Sequence, residues 1–131
     1  MSDVFRIANC SGFYGDRLSA AREMVEGGPI DVLTGDYLAE LTLMILLKDR
    51  MKDAGLGYAR TFLRQLEDIA AICQQRGIKI VVNAGGLNPA GLAAEMEKLA
   101  ARLGFAPTIA YIDGDDLLPR LPALPSQKCG W

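Results

Sequence analysis

The sequence of 131 residues contains no histidine. This absence excludes the Ser-His-Asp and Cys-His catalytic arrangements and removes the most common zinc ligand. The three cysteines, Cys10, Cys73 and Cys129, are too few and too widely spaced for a disulfide framework. Such cysteine usage is typical of a reducing compartment, so we expect a cytoplasmic protein.

Long apolar runs and an excess of positive charge are also missing. The most apolar run, LTLMILL at residues 41–47, is too short to cross a bilayer and predicts a helix buried on most sides. The opening MSDVFRI lacks the charged and apolar regions that predict a signal peptide. The formal net charge is −2, with no run of Lys and Arg. We therefore expect no membrane and no nucleic acid among the partners.

The chain does contain an alternation of apolar strands with helices. Strands are predicted at 4–9, 30–34, 78–83 and 107–112, and helices at 16–26, 37–53, 58–76 and 88–102. This alternation is typical of an α/β fold with a parallel sheet covered on both faces. We predict a three-layer α/β/α sandwich with a mostly parallel four-stranded sheet in the order 2-1-3-4. The alternative is the first part of a β/α barrel.

The same pattern divides the chain into two parts. Residues 1–118 are predicted to form a single α/β domain. Residues 119–131 carry prolines at a spacing of three, which predicts an extended tail.

Polar segments follow every predicted strand, whereas the opposite connections resemble ordinary turns. These segments are NCSGFYGDR (9–17), GDYLAE (35–40), NAGGLNPAG (83–91) and DGDD (113–116). Because the carboxyl ends of parallel strands share one edge, where α/β proteins bind ligands, we predict the site at this edge. With the order 2-1-3-4, the first and third loops would face each other between strands one and three.

The first of these loops has the composition of an anion site. Gly12 and Gly15 would let backbone amides approach a ligand, beside Ser11, and Arg17 can bind a carboxylate or phosphate. The N-terminus of the helix that follows would also attract an anion. The loop matches neither GxGxxG nor GxxxxGK[ST], so the alternative is a tight turn capped by Asp16.

The third loop offers amide donors. Asn83 and the pair Gly85–Gly86 would present them to a ligand, while Asn88 precedes Pro89 as a helix cap would. The structural alternative is that the glycines only make room and that Asn88 only caps.

The second and fourth loops offer carboxylates. Asp36 and Glu40 are one turn apart in the predicted helix and would share a face. With Asp113, Asp115 and Asp116 they would supply oxygen ligands for Mg²⁺. The alternative is that these residues only cap helices and form turns.

Cys10 lies at the end of the first strand, before a helix start that can stabilise a thiolate. Because the chain has no histidine to activate it, we expect a small buried residue rather than a nucleophile or a redox switch.

Four segments in order, RIANCSGFYGDR, IDVLTGDYLAELT, GIKIVVNAGGLNPAG and IDGDDLL, resemble the N-terminal part of the acyclic terpene utilisation family. The resemblance extends to about Leu118. The matching motif positions are Gly12, Gly15, Asp16, Arg17, Asp36, Glu40, Asn83, Gly85, Asn88, Pro89, Gly114 and Asp115.

This resemblance implies a role in the catabolism of acyclic terpenes such as citronellol and geraniol, which proceeds through acyl-CoA intermediates. The expected ligand is a small anionic molecule such as a CoA ester, and no reaction follows from the resemblance. Family members are several hundred residues long, so it also implies a homo-oligomer or a completing C-terminal chain. The alternative function is a non-catalytic binding or assembly module completed by another chain.

Overall fold

The computed structural model describes residues 4–123. Its three strands, β1 (Ile7–Asn9), β2 (Val32–Gly35) and β3 (Lys79–Val82), form one parallel sheet. The helices are α1 (Ala20–Glu26), α2 (Glu40–Lys52), α3 (Arg60–Arg76) and α4 (Pro89–Leu103), and a 3-10 helix spans Leu118–Ala123. The α/β class is therefore confirmed, with three strands instead of the predicted four in this part of the chain.

The predicted strand order 2-1-3-4 is wrong, because β2 lies in the centre of the sheet. Val32 pairs with Ile7 on one side and with Lys79 on the other, which gives the order β1-β2-β3. All strands were apolar in sequence, and apolarity alone does not distinguish a central strand from an edge strand. The sequential order is the one that the alternative, the first part of a β/α barrel, requires.

One face of the sheet carries the core. Right-handed crossovers between sequential parallel strands place the connecting helices on the same face. Ala8, Leu33 and Ile80 occupy matching register positions. They pack against α1 and α3 in a cluster that includes Val25 and Ile69. A second cluster joins α3, α4 and β3 through Phe62, Leu66, Leu92 and Leu99.

The opposite, open face of the sheet is exposed along the two edge strands, while Val32 in the central strand is buried. Ile7 and Val81, which are on that face by register, are 64% and 62% exposed. Within residues 4–123 the fold therefore has one helical layer on one sheet, and the three-layer sandwich is not confirmed.

Residues 107–112, predicted as the fourth strand, are not part of the sheet. They line a groove together with β3, but no backbone hydrogen bond of the described chain joins the two segments. The composition TIAYI indicates strand propensity, whereas pairing also requires the two backbones to meet. Residues 119–123 of the predicted tail lie in the 3-10 helix that begins at Leu118, and 124–131 lie outside the described residues.

The helix ends follow the local sequence. Gly77 (φ 66°) and Gly104 (φ 84°) adopt the left-handed conformation that ends α3 and α4, as expected for C-terminal glycines. Asn88 accepts a hydrogen bond from the Gly91 amide at 2.9 Å, so the predicted cap of α4 is confirmed.

The prediction that residues 41–47 are buried on most sides is wrong. In α2 only Thr42 and Leu46 are buried, while Leu41 and Met44 are 65% and 51% exposed. A run of apolar residues does not show how many other elements pack against the helix that it forms. Among residues 4–123, no helix is long and apolar enough to span a membrane.

The one-sided core predicts different costs for the same substitution on the two faces. Val25→Ala removes a side chain with no exposure and should lower the free energy of unfolding by about 2 kcal/mol. Val81→Ala, on the open face, should cost less than about 0.5 kcal/mol. Urea unfolding of both variants measures this difference. Equal costs would show that the open face is covered.

Candidate functional site

The loops at the carboxyl edge of the sheet are joined by hydrogen bonds around Asp36. The Asp36 amide donates to the Ser11 carbonyl at 2.9 Å, which ties the second loop to the first. The Asn83 side chain donates to Asp36 Oδ1 at 2.7 Å and accepts from the Tyr37 amide at 2.8 Å, which ties the second loop to the third. The edge therefore brings together Ser11, Asp36 and Asn83, which sequence reasoning had placed there.

The crevice between strands one and three is not present, because β2 separates those strands. The second loop thus lies between the first and the third, and Asp36 rather than a glycine-rich segment is at the centre of the edge.

Asn9 and Thr34 extend this polar cluster and were not predicted. The side-chain amide of Asn9 (Nδ2) donates to the Ser11 carbonyl at 2.9 Å, and the Thr34 hydroxyl donates to the Ala8 carbonyl at 3.2 Å. Both residues lie near the ends of their strands, in neighbouring register positions. A polar residue near the end of an otherwise apolar strand was the sequence feature that could have identified Asn9 and Thr34.

Hydrogen bonds within the first loop occupy the groups expected to bind an anion. Asp16 accepts from the Gly12 amide at 2.9 Å and from the Arg17 amide at 2.7 Å. These two hydrogen bonds, that of Gly12 first, lower the pKa of Asp16. The Arg17 guanidinium forms an ion pair with Glu23 at 2.8 Å. Gly15 has a φ of 95°, so it provides the turn.

The α1 helix consequently begins at Ala20 and not at residue 16, and Asp16 is not its cap. The structure brings Gly12, Asp16 and Arg17 together through the hydrogen bonds of Asp16. Ligand binding by these residues stays a prediction.

The third loop is shaped by close packing under α2. Gly86 has a φ of 52°, and a Cβ there would lie 2.5 Å from Leu46 Cδ1. At Gly85 a Cβ would lie 2.8 Å from Pro89 Cβ. Asn88, besides capping α4, donates to the Gly55 and Leu56 carbonyls at 3.2 and 3.1 Å. These three residues have clear structural roles, and their binding of a ligand stays a prediction.

The carboxylates proposed for Mg²⁺ lie on separate segments. Asp36 precedes α2, whose N-cap is Ala39, so Asp36 and Glu40 do not share a helical face as predicted. Asp113 and Asp115 lie on the extended chain after α4. Within residues 4–123 no three acidic or cysteine side chains are grouped closely enough to hold a metal ion.

Arg50 links three parts of this region and was missed by sequence reasoning. Its guanidinium donates to the Leu87 carbonyl at 2.8 Å and to Asp116 Oδ2 at 2.9 Å. The bond from Arg50 is the main reason that the pKa of Asp116 is lowered. The side chain thereby connects α2, the third loop and the chain that follows α4. A basic residue in a charged helix end gave no distinctive signal.

A buried polar contact lies beneath the edge. The Tyr37 hydroxyl donates to Gln65 Oε1 at 2.6 Å and lies 3.9 Å from Cys10 Sγ. The Tyr37 ring packs edge-on against Phe62 with centroids 5.8 Å apart. Gln65 lies on the apolar face of α3, and a polar residue on such a face was the available signal for this contact.

Burial governs the acidity of these groups. It raises the pKa of the Tyr37 hydroxyl and of the Cys10 thiol, and the contact with Tyr37 only partly offsets the effect at Cys10. Burial also raises the pKa of Cys73 to about 11. The described cysteines are therefore neutral thiols near pH 7.

A large groove opens beside this edge, along the outer side of β3. It has a volume of about 960 Å³, with residues 78–83 on one wall and 105–112 on the other. Side chains of α3 and α4, including Phe62, Leu66, Leu92, Met96 and Leu99, form an apolar floor. Four predicted site residues line the groove: Asn83, Gly85, Gly86 and Asp115.

The groove has the size of a small-molecule site, for which volumes of about 300–1,000 Å³ are usual. It is apolar along most of its length, and Asn83, at the carboxyl end of β3, belongs both to its lining and to the polar cluster. Such an arrangement can hold an amphiphilic ligand with its carbon chain on the apolar floor and a polar group near Asn83.

The sequence model of a protein family, the acyclic terpene utilisation family protein AtuA, matches residues 5–129, which is most of the chain. The chain belongs to this family. A search of curated proteins and of solved structures found no match to the chain. The family match includes all three loops of the edge and both walls of the groove.

The burial and raised pKa of Cys10 predict that its thiol reacts slowly with alkylating reagents. Because the side chain is 4% exposed and its pKa is raised, alkylation by iodoacetamide at pH 8 should be more than about tenfold slower in the native chain than in urea. Peptide mass spectrometry follows Cys10 and Cys73 separately. Equal rates in both states would contradict the buried position.

The Asn83 side chain bridges the second and third loops through its bonds to Asp36 and the Tyr37 amide. This bridge predicts a variant whose stability depends on pH. Asn83→Asp places two carboxylates at the 2.7 Å contact with Asp36, and the folded variant should hold a proton there that the unfolded chain releases above about pH 4. Its free energy of unfolding should therefore fall as the pH rises from 4 to 7, by roughly 1–3 kcal/mol relative to the native chain.

The control is Asn83→Ala, which leaves the Tyr37 amide without its acceptor but adds no charge. Its loss of stability should be the same at pH 4 and pH 7. If urea unfolding shows the same change in the free energy of unfolding with pH for both variants, the contact between Asn83 and Asp36 is contradicted.

Proposed function

We propose that this chain takes part in acyclic terpene catabolism by binding the carbon chain of a terpenoid CoA thioester. The ligand's branched chain lies in the groove along β3, and its polar part lies at the carboxyl edge of the sheet. Membership of the acyclic terpene utilisation family supports the pathway. The apolar groove next to the polar cluster supports the kind of ligand.

The groove is the observation that carries this proposal. Its floor consists of aliphatic, aromatic and thioether side chains, which favour a hydrocarbon through burial of apolar surface. Its length along residues 78–83 is roughly 20 Å at strand geometry, long enough for an extended chain. Methionine at position 96 can adapt to methyl branches because its side chain is flexible and polarisable.

The polar cluster suits the head of the ligand through hydrogen bonds. Asp36 is exposed and uses one carboxylate oxygen for Asn83, so the other is available to a donor such as a hydroxyl or an amide of the ligand. The carbonyl end of the chain would lie near Asn83 and the Gly85–Gly86 turn. The proposal covers binding of the ligand and includes no reaction.

Filling the groove tests the proposal. Ala110→Trp adds a bulky ring on the outer wall of the groove, at an exposed residue. It should weaken binding of the CoA thioesters of the citronellol and geraniol acids by about tenfold or more, which corresponds to 1.4 kcal/mol. Isothermal titration measures the affinity, with CoA alone and geraniol as reference ligands.

The matched control is Ala101→Trp, on an exposed position of α4 that does not line the groove. It should bind like the native chain. If neither thioester binds the native chain, or if both tryptophan variants bind equally well, the groove is not the site.

The second candidate is a non-catalytic module completed by another chain. One observation favours it: the outer edge of β3 has no strand partner among residues 4–123. A free edge strand is a template for pairing with another chain. Light scattering after gel filtration distinguishes the two candidates, because a monomer that binds the thioester needs no completing chain.

A further inference from the structure

The segment 106–113 lies across the groove from β3, and neither wall pairs with the other. Within the described chain, no backbone hydrogen bond involves residues 106–113. The outer edge of β3 is also without a strand partner there. Two segments that have no backbone hydrogen bond to each other thus line the same apolar groove.

This segment is anchored at both ends and free in the middle. The Phe105 amide donates to the Ala100 carbonyl at 3.1 Å, at the end of α4. At the other end, Asp116 is paired with Arg50 at 2.9 Å. Between these anchors the side chains are mostly exposed, with Ile112 at 94%. Only the middle can therefore move towards β3 without breaking the anchors.

The sequence of the middle is that of a strand. TIAYI at 108–112 is rich in β-branched and aromatic residues. It follows β3 and α4, so a right-handed crossover would place it parallel to β3 on the outer side, where the groove is. In this structure Ile109 is partly buried, whereas Thr108, Ala110, Tyr111 and Ile112 are exposed, so burial does not alternate along the segment while it is unpaired.

We propose that residues 106–113 form a strap with two positions. In the open position, seen in this structure, the groove is accessible. In the closed position the strap pairs with β3 as a fourth parallel strand and eliminates the groove. A ligand in the groove and the closed strap exclude each other, so the ligand selects the open position. This exclusion rests on the proposed function, whereas the closure itself does not.

Cysteine pairs on the open face test closure without any ligand. Val81→Cys is combined in turn with Thr108→Cys, Ala110→Cys or Ile112→Cys, all at exposed positions, with Cys129→Ser in every variant. Neighbouring strands bring Cα atoms within the 4.4–6.8 Å that a disulfide needs. One pair, selected by the register, should oxidise more than about tenfold faster than the control.

The control is Ile7→Cys with Ala110→Cys. Ile7 is on β1, two strands away from β3, so closure cannot bring this pair together. If no pair with Val81→Cys oxidises faster than this control, although both introduced cysteines react with a small thiol reagent, the strap does not close and the proposal is overturned.

Hydrogen exchange separates this proposal from the proposed function. In the free chain, amides of 108–112 should exchange more slowly than in a random coil, and the CoA thioester should accelerate their exchange because it breaks the pairing with β3. Protection of these amides by the ligand would overturn the exclusion while leaving the groove as the binding site. If the cysteine pairs show that the strap closes but the native chain does not bind the thioester, the proposed function is overturned and the strap proposal stands.

Discussion

The sequential order of three parallel strands determines most of the architecture. Because right-handed crossovers then run in one direction, the helices collect on one face of the sheet. Val32 and Leu33 in the central strand are almost fully buried, whereas Ile7 and Val81 on the edge strands are exposed. The same order leaves the outer edge of β3 free, and the groove lies along that edge.

The carboxyl edge depends on a second, more local interaction. The side chain of Asn83 uses both of its polar atoms to join the second and third loops, and the Asp36 amide joins the second loop to the first. These bonds hold three loops in one position relative to the groove. The polar cluster therefore lies at one end of the apolar groove, where Asn83 belongs to both.

The sequence predicted elements and local caps better than it predicted their arrangement. The alternation of strands and helices, the cap at Asn88 and the terminal glycines Gly77 and Gly104 were recognisable because each depends on a few adjacent residues. The strand order, the exposure of Leu41 and Met44 and the separation of 107–112 from β3 depend on which elements meet in space. Periodicity carries little information about that.

The site shows the same division. Ser11, Asp36 and Asn83 were predicted to share an edge because the carboxyl ends of parallel strands must do so. The use of the Gly12 amide by Asp16 and of the Arg17 guanidinium by Glu23 could not be read from the sequence, since it depends on side-chain orientation. The groove also went unpredicted, because the prediction placed a strand in direct contact with β3.

Isotope-filtered NMR of the chain with a geranyl or citronellyl CoA thioester tests the central claim most directly. Binding in the groove predicts nuclear Overhauser contacts from the ligand's methyl groups to Val82, Met96 and Ile109, which line it. Contacts confined to the first loop around Gly12 and Arg17, or no contacts at all, would contradict the account.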